Sequence, residues 1–177
     1  MSLAPGEVTR FLRRLRAVRE FTPEPIPDAV LHDILEVARW SGSASNRQPA
    51  EVVVVRDAAV KQLIADGGAR AAGSAPVALL TVLPDDPDRA VLDAFDNGRL
   101  VERMLLAAQA HGLGGNVMTL KGDGPATVAR AINLPPGRRL WTVVAIGHVD
   151  EAARAARPRS ATAGRKPPSE FVRWERY

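Results

Sequence analysis

The sequence contains no cysteine and only one tyrosine, and aromatic residues make up 5% of it. Without cysteine there is no disulfide framework, no thiolate zinc site and no Cys nucleophile, as in proteins of a reducing compartment. Any redox chemistry must therefore use a borrowed cofactor. Long apolar runs are also missing. Ala75 to Leu83 and Leu140 to Val149 are strand-sized, well short of the ~20 residues a bilayer span needs. The N-terminus is charged by Glu7 and lacks an apolar h-region, so neither a signal peptide nor a membrane partner is expected, and the chain reads as soluble and cytoplasmic. No Gly-x-x-x-x-Gly-Lys-Ser/Thr motif occurs, which excludes a P-loop. Gly112-Leu113-Gly114-Gly115 is not a dinucleotide loop, because it leaves a helix and enters a strand, the reverse of that motif. His32, His111 and His148 are scattered with no carboxylate at ligand spacing, so no metal site is expected.

What is present is ordinary globular composition. Of the 177 residues, 46% are hydrophobic and 25% charged, enough for one well-buried core, and no polar linker divides the chain. One domain over residues 1–177 is expected, with 151–177 as a C-terminal tail. The net charge of +4 is localised. The tail carries seven of the 24 basic residues but three of the 20 acidic ones, so the whole excess lies there. A second basic concentration, Arg10, Arg13, Arg14, Arg16 and Arg19, contains no acid. Such a run is ordinarily a solvated helix face. Two arginine groups from the two ends of the chain can instead form a phosphate cage, because guanidinium forks match phosphate oxygens. That reading replaces the nucleic-acid partner that a pI of about 10.3 invites.

Helix and strand signals alternate. Glu7 to Leu15 reads as a short helix, and Pro23, Pro25 and Pro27 as an extended connector. Leu31, Ile34, Leu35 and Ala38 recur at i, i+3, i+4, i+7, predicting a helix from an Asp28 N-cap to Trp40. Ser41 to Pro49 is a polar loop of small residues. Val52 to Val55 is expected as a buried strand, followed by a helix capped by Asp57 and a strand from Pro76 to Leu83. A long helix is expected from Asp88 to His111, with Leu92, Phe95, Met104, Leu105 and Ala108 facing the core and Gly112 as its stop. Gly98 within it costs about 1 kcal/mol against Ala, so a close approach is expected there. Val117 to Leu120 and Leu140 to Ile146 are further strands, with a helix from Ala126 to Ile132 between them. The fold class is a layered α+β or α/β domain.

Four segments in order resemble the FMN-dependent nitroreductases. These are Arg16-Ala17-Val18-Arg19-Glu20-Phe21 with Pro25-Ile26-Pro27; Ala38 to Pro49, with Ser43, Asn46, Gln48 and Pro49; Asp96-x-Gly98 with Glu102 and Gly112-Leu113-Gly114; and Leu140 to Gly147 with Gly164-Arg165-Lys166-Pro167 and Trp174-Glu175-Arg176. The resemblance implies a three-layer sandwich, its central mixed but mostly antiparallel sheet flanked by helices. It also implies an intertwined homodimer whose tail wraps the partner subunit. Among the implied cofactor residues, Arg16, Ala17, Arg19 and Arg165 would meet the FMN phosphate and ribityl. Ser43, Asn46 and Gln48 would reach the flavin from the other subunit, and the backbone at Thr119 and Leu120 would lie at the isoalloxazine edge. The implied activity passes hydride from NAD(P)H through flavin N5 to a nitro compound, quinone or similar small-molecule acceptor, the flavin doing the chemistry without a catalytic side chain.

The sequence also departs from the family pattern. Leu15 stands where an Arg is usual, Ala17 where a Ser is usual, Ala50 in place of Trp, and Thr119-Leu120 in place of Gly-Gly. These departures leave open a second class, a flavin-binding or cofactor-poor relative that binds or senses a ligand without catalysis. Arg13 or Arg14 is a candidate to compensate at the phosphate. The short Pro84 to Asp88 stretch leaves no room for extra helices over the site, so an open, weakly selective one is expected.

Overall fold

The computed structural model describes residues 4–158 and 164–177. Four strands form one sheet in the order β1-β2-β4-β3, with β1 at Glu51–Val55, β2 at Val77–Pro84, β3 at Gly114–Met118 and β4 at Arg138–Gly147. Every pairing within the sheet is antiparallel. The mixed character expected from the resemblance is reduced to one parallel bridge, Ala17 to Gly115, at the outer edge of β3. β2 and β4 are central, and Val77 to Leu83 are buried throughout, so this stretch reads as a continuous apolar run rather than an alternating one.

Side-chain alternation along β2 sends successive residues to opposite faces. Val77 and Leu79 join Leu31 and Ile34 of α2 (Asp28–Arg39) and Met104 and Ala108 of α5 (Ala90–Ala110) in one core. Ala78 and Leu80 join Ile64 of α3 (Ala58–Asp66), Ala72 of α4 (Ala71–Ser74) and Val128 of α6 (Gly124–Ala131) in another. α1 (Pro5–Arg14) buries no residue and is tied to α5 where Gln109 Nε2 donates to the Phe11 carbonyl at 2.9 Å. The tail, expected to be irregular, contains α7 (Glu151–Ala156) and α8 (Pro168–Phe171). The Asp150 side chain caps α7 by accepting from Ala153 N–H.

Several expectations need correction. Val52 to Val55 is not a buried strand: β1 is a sheet edge, Val54 is exposed, and only Val55 is fully buried. Asp28 is the first helical residue and caps nothing; Pro27 is the N-cap, and the Asp28 carboxylate pairs instead with Arg56 at 2.5 Å, which lowers its pKa. Asp57 does cap α3, accepting from Val60 N–H at 2.9 Å. β3 begins three residues before the expected Val117 and ends before Thr119. Residues 87–89 form a turn, so α5 starts at Ala90 rather than Asp88.

The largest correction concerns which side of α5 is inward. Met104 and Ala108 are buried as expected, but Phe95 is 68% exposed and Leu92 49%. The first half of the helix buries Asp93, Asp96 and Asn97 instead. Val91, Phe95 and Gly98, at i, i+4, i+7, share an outer face. Among the described residues nothing beyond its own helix turn lies within 4 Å of a Cβ built on Gly98, so the expected close approach is not made there.

Candidate functional site

The segment after α1 runs along the free edge of β3. Val18 N–H donates to the Gly115 carbonyl at 2.9 Å, and Ala17 bridges the same residue. Close contact requires glycine here: a Cβ on Gly114 would stand 2.8 Å from Val18. This strap holds Arg16 and Arg19 over the strand edge. A cleft of about 710 Å³ opens beside them, lined by Arg13, Arg16, Ala17, Arg19, Asn116 and Arg165, with Leu12, Leu15 and Leu105 as its apolar wall. Arg165 arrives from the tail, so the two basic ends of the chain meet as expected.

The electrostatics of the cleft are one-sided. Glu102 is the sole carboxylate among its lining residues. Among the described residues no ion pair includes Arg13, Arg16, Arg19 or Arg165. The Arg16 guanidinium donates through Nη1 to the Arg13 and Leu15 carbonyls at 2.7 Å each, which braces it over the cleft and leaves Nε and Nη2 for another acceptor. Clustered guanidiniums with no acid to neutralise them create a positive potential that attracts anions. Arg13, one helical turn before Arg16, supplies a charge beside Leu15, the position where the resemblance leads one to expect an arginine. Arg14 does not line the cleft.

A second cleft of about 660 Å³ adjoins the first and shares Arg19 and Asn116 with it. It adds Arg70, Lys121, Met118 and the Glu20–Arg157 pair, whose atoms are 2.7 Å apart. Asn116 is 4% exposed and lines both clefts. It was missed in the sequence, although its place after the Gly114-Gly115 pair, inside a strand leaving a helix stop, marks it. Thr119 and Leu120 line neither cleft. Thr119 is exposed, and the Leu120 side chain packs into the core beside α3 and α6. Their backbone follows the end of β3 and is fixed by Lys121 N–H donating to the Gly67 carbonyl at 2.8 Å.

Ser43, Asn46 and Gln48 lie elsewhere. Residues 41–49 cross α5, and none of the three lines either cleft of the same chain. The loop carries left-handed backbone at Ser45, Asn46 and Gln48, with φ of 53°, 52° and 51°, a conformation that costs a non-glycine residue about 1 kcal/mol or more. It is stitched internally by Gln48 N–H donating to Ser43 Oγ at 2.8 Å and Gln48 Nε2 to the Asn46 carbonyl at 3.3 Å. Trp40 at its entry is held through Nε1 donating to Glu36 at 2.7 Å. Arg39, first, and Trp40 hold the Glu36 carboxyl down to about 2.

Comparisons with known proteins agree with this geometry. The model of the Nitroreductase family matches residues 12–79. An NADH dehydrogenase of Thermus thermophilus is 28% identical over 180 residues, covering 81% of this chain and 86% of that protein. A nitroreductase structure from Desulfovibrio desulfuricans, solved in complex with FMN, has a TM-score of 0.79 at 26% identity and covers 99% of both chains. The chain is thus similar to the nitroreductases in sequence and in fold. A longer structure, nitroreductase A from Vibrio parahaemolyticus, has a TM-score of 0.81 at 23% identity and shows the fold alone; this chain covers 77% of it. β2 and α5 are joined here by residues 85–89 only. Among the described residues no helix is long and apolar enough to cross a membrane.

Proposed function

We propose that the protein is an FMN-dependent oxidoreductase that takes hydride from NAD(P)H and passes it to a nitro compound, quinone or similar acceptor. The observation that carries this reading is the convergence of Arg13, Arg16, Arg19 and Arg165, none paired with an acid among the described residues, on one cleft along β3. That donor set fits a phosphomonoester. Arg16, Arg19 and Arg165 bind the phosphate, Arg13 adds the charge that Leu15 lacks, and the small Ala17 leaves room at the strand edge. By the resemblance, the backbone at Thr119 and Leu120, just past the end of β3, would face the ring of the bound group, although neither residue lines the cleft itself. FMN supplies the redox chemistry when bound. The side chains bind and orient, and with one unpaired carboxylate, Glu102, and no histidine in either cleft, none is assigned a proton to transfer.

The working unit in this reading is a homodimer, an intertwined three-layer sandwich. Ser43, Asn46 and Gln48 serve the cleft of a second copy, since they do not reach their own. The outer face of α5, with Val91 82% exposed, Phe95 68% exposed and an open notch at Gly98, is the surface that a second copy covers. A monomer would leave that apolar face in water. The short 85–89 connection leaves the site open, so acceptors of different shape should react at comparable rates.

An absorbance spectrum of the purified full chain between 350 and 500 nm, followed by NADH and NADPH oxidation with menadione or a nitroarene, tests the reading. A flavin spectrum with turnover is expected. A colourless protein that takes up no FMN at tens of micromolar would sink it, and a yellow protein without turnover would point to ligand binding alone.

A further inference from the structure

One flank of α5 is bonded to the 41–49 loop and its entry residue at successive turns. Arg103 Nη1 donates to the Trp40 carbonyl at 2.8 Å. Arg99 lies against Gly42, where an added Cβ would come within 2.7 Å of its Nη2. Asp96 Oδ2 accepts from Ala44 N–H at 2.8 Å, and Asp93 Oδ1 meets Arg47 Nη1 at 3.1 Å. Helix residues 103, 99, 96 and 93 descend one flank as loop residues 40, 42, 44 and 47 advance, so the two segments run antiparallel.

Both carboxylates are deeply buried: Asp93 is 2% exposed and Asp96 7%. Burying a carboxylate is unfavourable unless it is paired, and Asp93 Oδ2 makes no hydrogen bond within the described residues. A helix stabilised only by its packing would turn Leu92 and Phe95 inward there. The loop they hold contains three left-handed residues that the local sequence does not favour. Internal bonds link Ser43 to Asn46 and Gln48, and Ala44 to Arg47, but the Ala44 amide and the Arg47 side chain are anchored only on α5.

We infer that Asp93 and Asp96 are positioning residues: they hold the 41–49 loop in the left-handed form that presents Ser43, Asn46 and Gln48 to the flavin of the second subunit. The inference rests on the proposed FMN-binding homodimer. It assigns these carboxylates no contact with the cofactor. They act through Arg47 and the Ala44 amide, and the orientation of α5 that exposes Phe95 for the partner is the one that turns Asp93 and Asp96 onto the loop.

The test combines FMN titration, followed by quenching of flavin fluorescence, with hydrogen exchange of the apo full-length chain. Asp93→Asn combined with Asp96→Asn should raise the FMN Kd about tenfold. It should also speed exchange in the 41–50 segment by a similar factor, with β2 and β4 exchanging as in the wild type. Arg47→Ala should reproduce most of the loop effect, and Arg47→Lys should restore it. Wild-type Kd and wild-type loop exchange in the double variant overturn the inference. Faster exchange throughout the sheet also overturns it, because the carboxylates then only stabilise the fold. Should the wild type itself fail to bind FMN, the functional reading falls, and exchange in the 41–50 segment still reports whether the carboxylates hold the loop.

Discussion

The arginine cleft along β3 and the 41–49 loop on α5 are built on opposite electrostatic plans. In the cleft, Arg13, Arg16, Arg19 and Arg165 carry no ionic partner within the described residues and converge on the edge of β3 from α1, the strap and the tail, none of them with a positive φ. In the loop, Arg47 is already neutralised by a buried aspartate, and three residues are left-handed. The cleft keeps its charge for a ligand, whereas the loop uses its charge on itself to fix a shape. A binding site thus needs two kinds of region, one in which an unmet interaction is the function and one in which charges are paired internally so that the geometry is fixed.

Breaking the connection between the two should have the largest effect. Phe95→Asp places a charge on the outer face of α5 and is expected to convert a dimer into monomers in sedimentation velocity and to abolish FMN uptake. An intact dimer that still binds flavin would show that the loop and cleft do not come from different subunits. Next, Arg16→Ala with Arg165→Ala removes two charge-assisted contacts, each about 1.5–3 kcal/mol. The FMN Kd should rise at least about a hundredfold, with exchange in the 41–50 segment unchanged. A loop that loosens in that variant would erase the distinction drawn above.

Smaller effects sharpen the boundaries of the two regions. A Cβ on Gly124 would lie 2.8 Å from the Gly67 Cα, so Gly124→Ala should destabilise the chain by about 1–3 kcal/mol in urea unfolding and displace the turn after Leu120. The mildest concerns the loop entry. The Glu36 carboxyl, lowered from 4.5 to about 2 by Arg39 first and Trp40 second, should stay ionised in an NMR titration until about pH 2. A depressed pKa means its contribution is present above 4.5 and fades as pH falls toward 2. The melting difference between wild type and Glu36→Gln should be small at pH 7 and vanish at the acid end of that window.

The arginine side of the site was legible because its residues announce themselves by type: charges without acids nearby at the two ends of the chain, which the fold then joins. The central strand β2 and the cap at Asp57 were legible for similar local reasons. The inward side of α5 was not. Leu92 and Phe95 are apolar and read as core, since periodicity assumes that a helix buries its apolar face within its own chain. That assumption fails where Asp93 and Asp96 have loop partners about fifty residues earlier. The edge position of β1 was hidden likewise, because a run of valines reads the same in the middle of a sheet as at its side. Asn116 was overlooked because its importance comes from lying between two clefts, which only the β3 edge reveals.

The bonds between the loop and α5 join residues 63, 52 and 46 positions apart in the chain. During synthesis at about 5–20 residues per second, residues 41–49 therefore leave the ribosome roughly 3–10 s before the helix that shapes them. Until then only the loop's own bonds hold Ser45, Asn46 and Gln48 left-handed, without the anchors on α5. On this timetable the loop is among the last segments to order, and on the proposed reading flavin capture follows the synthesis of α5.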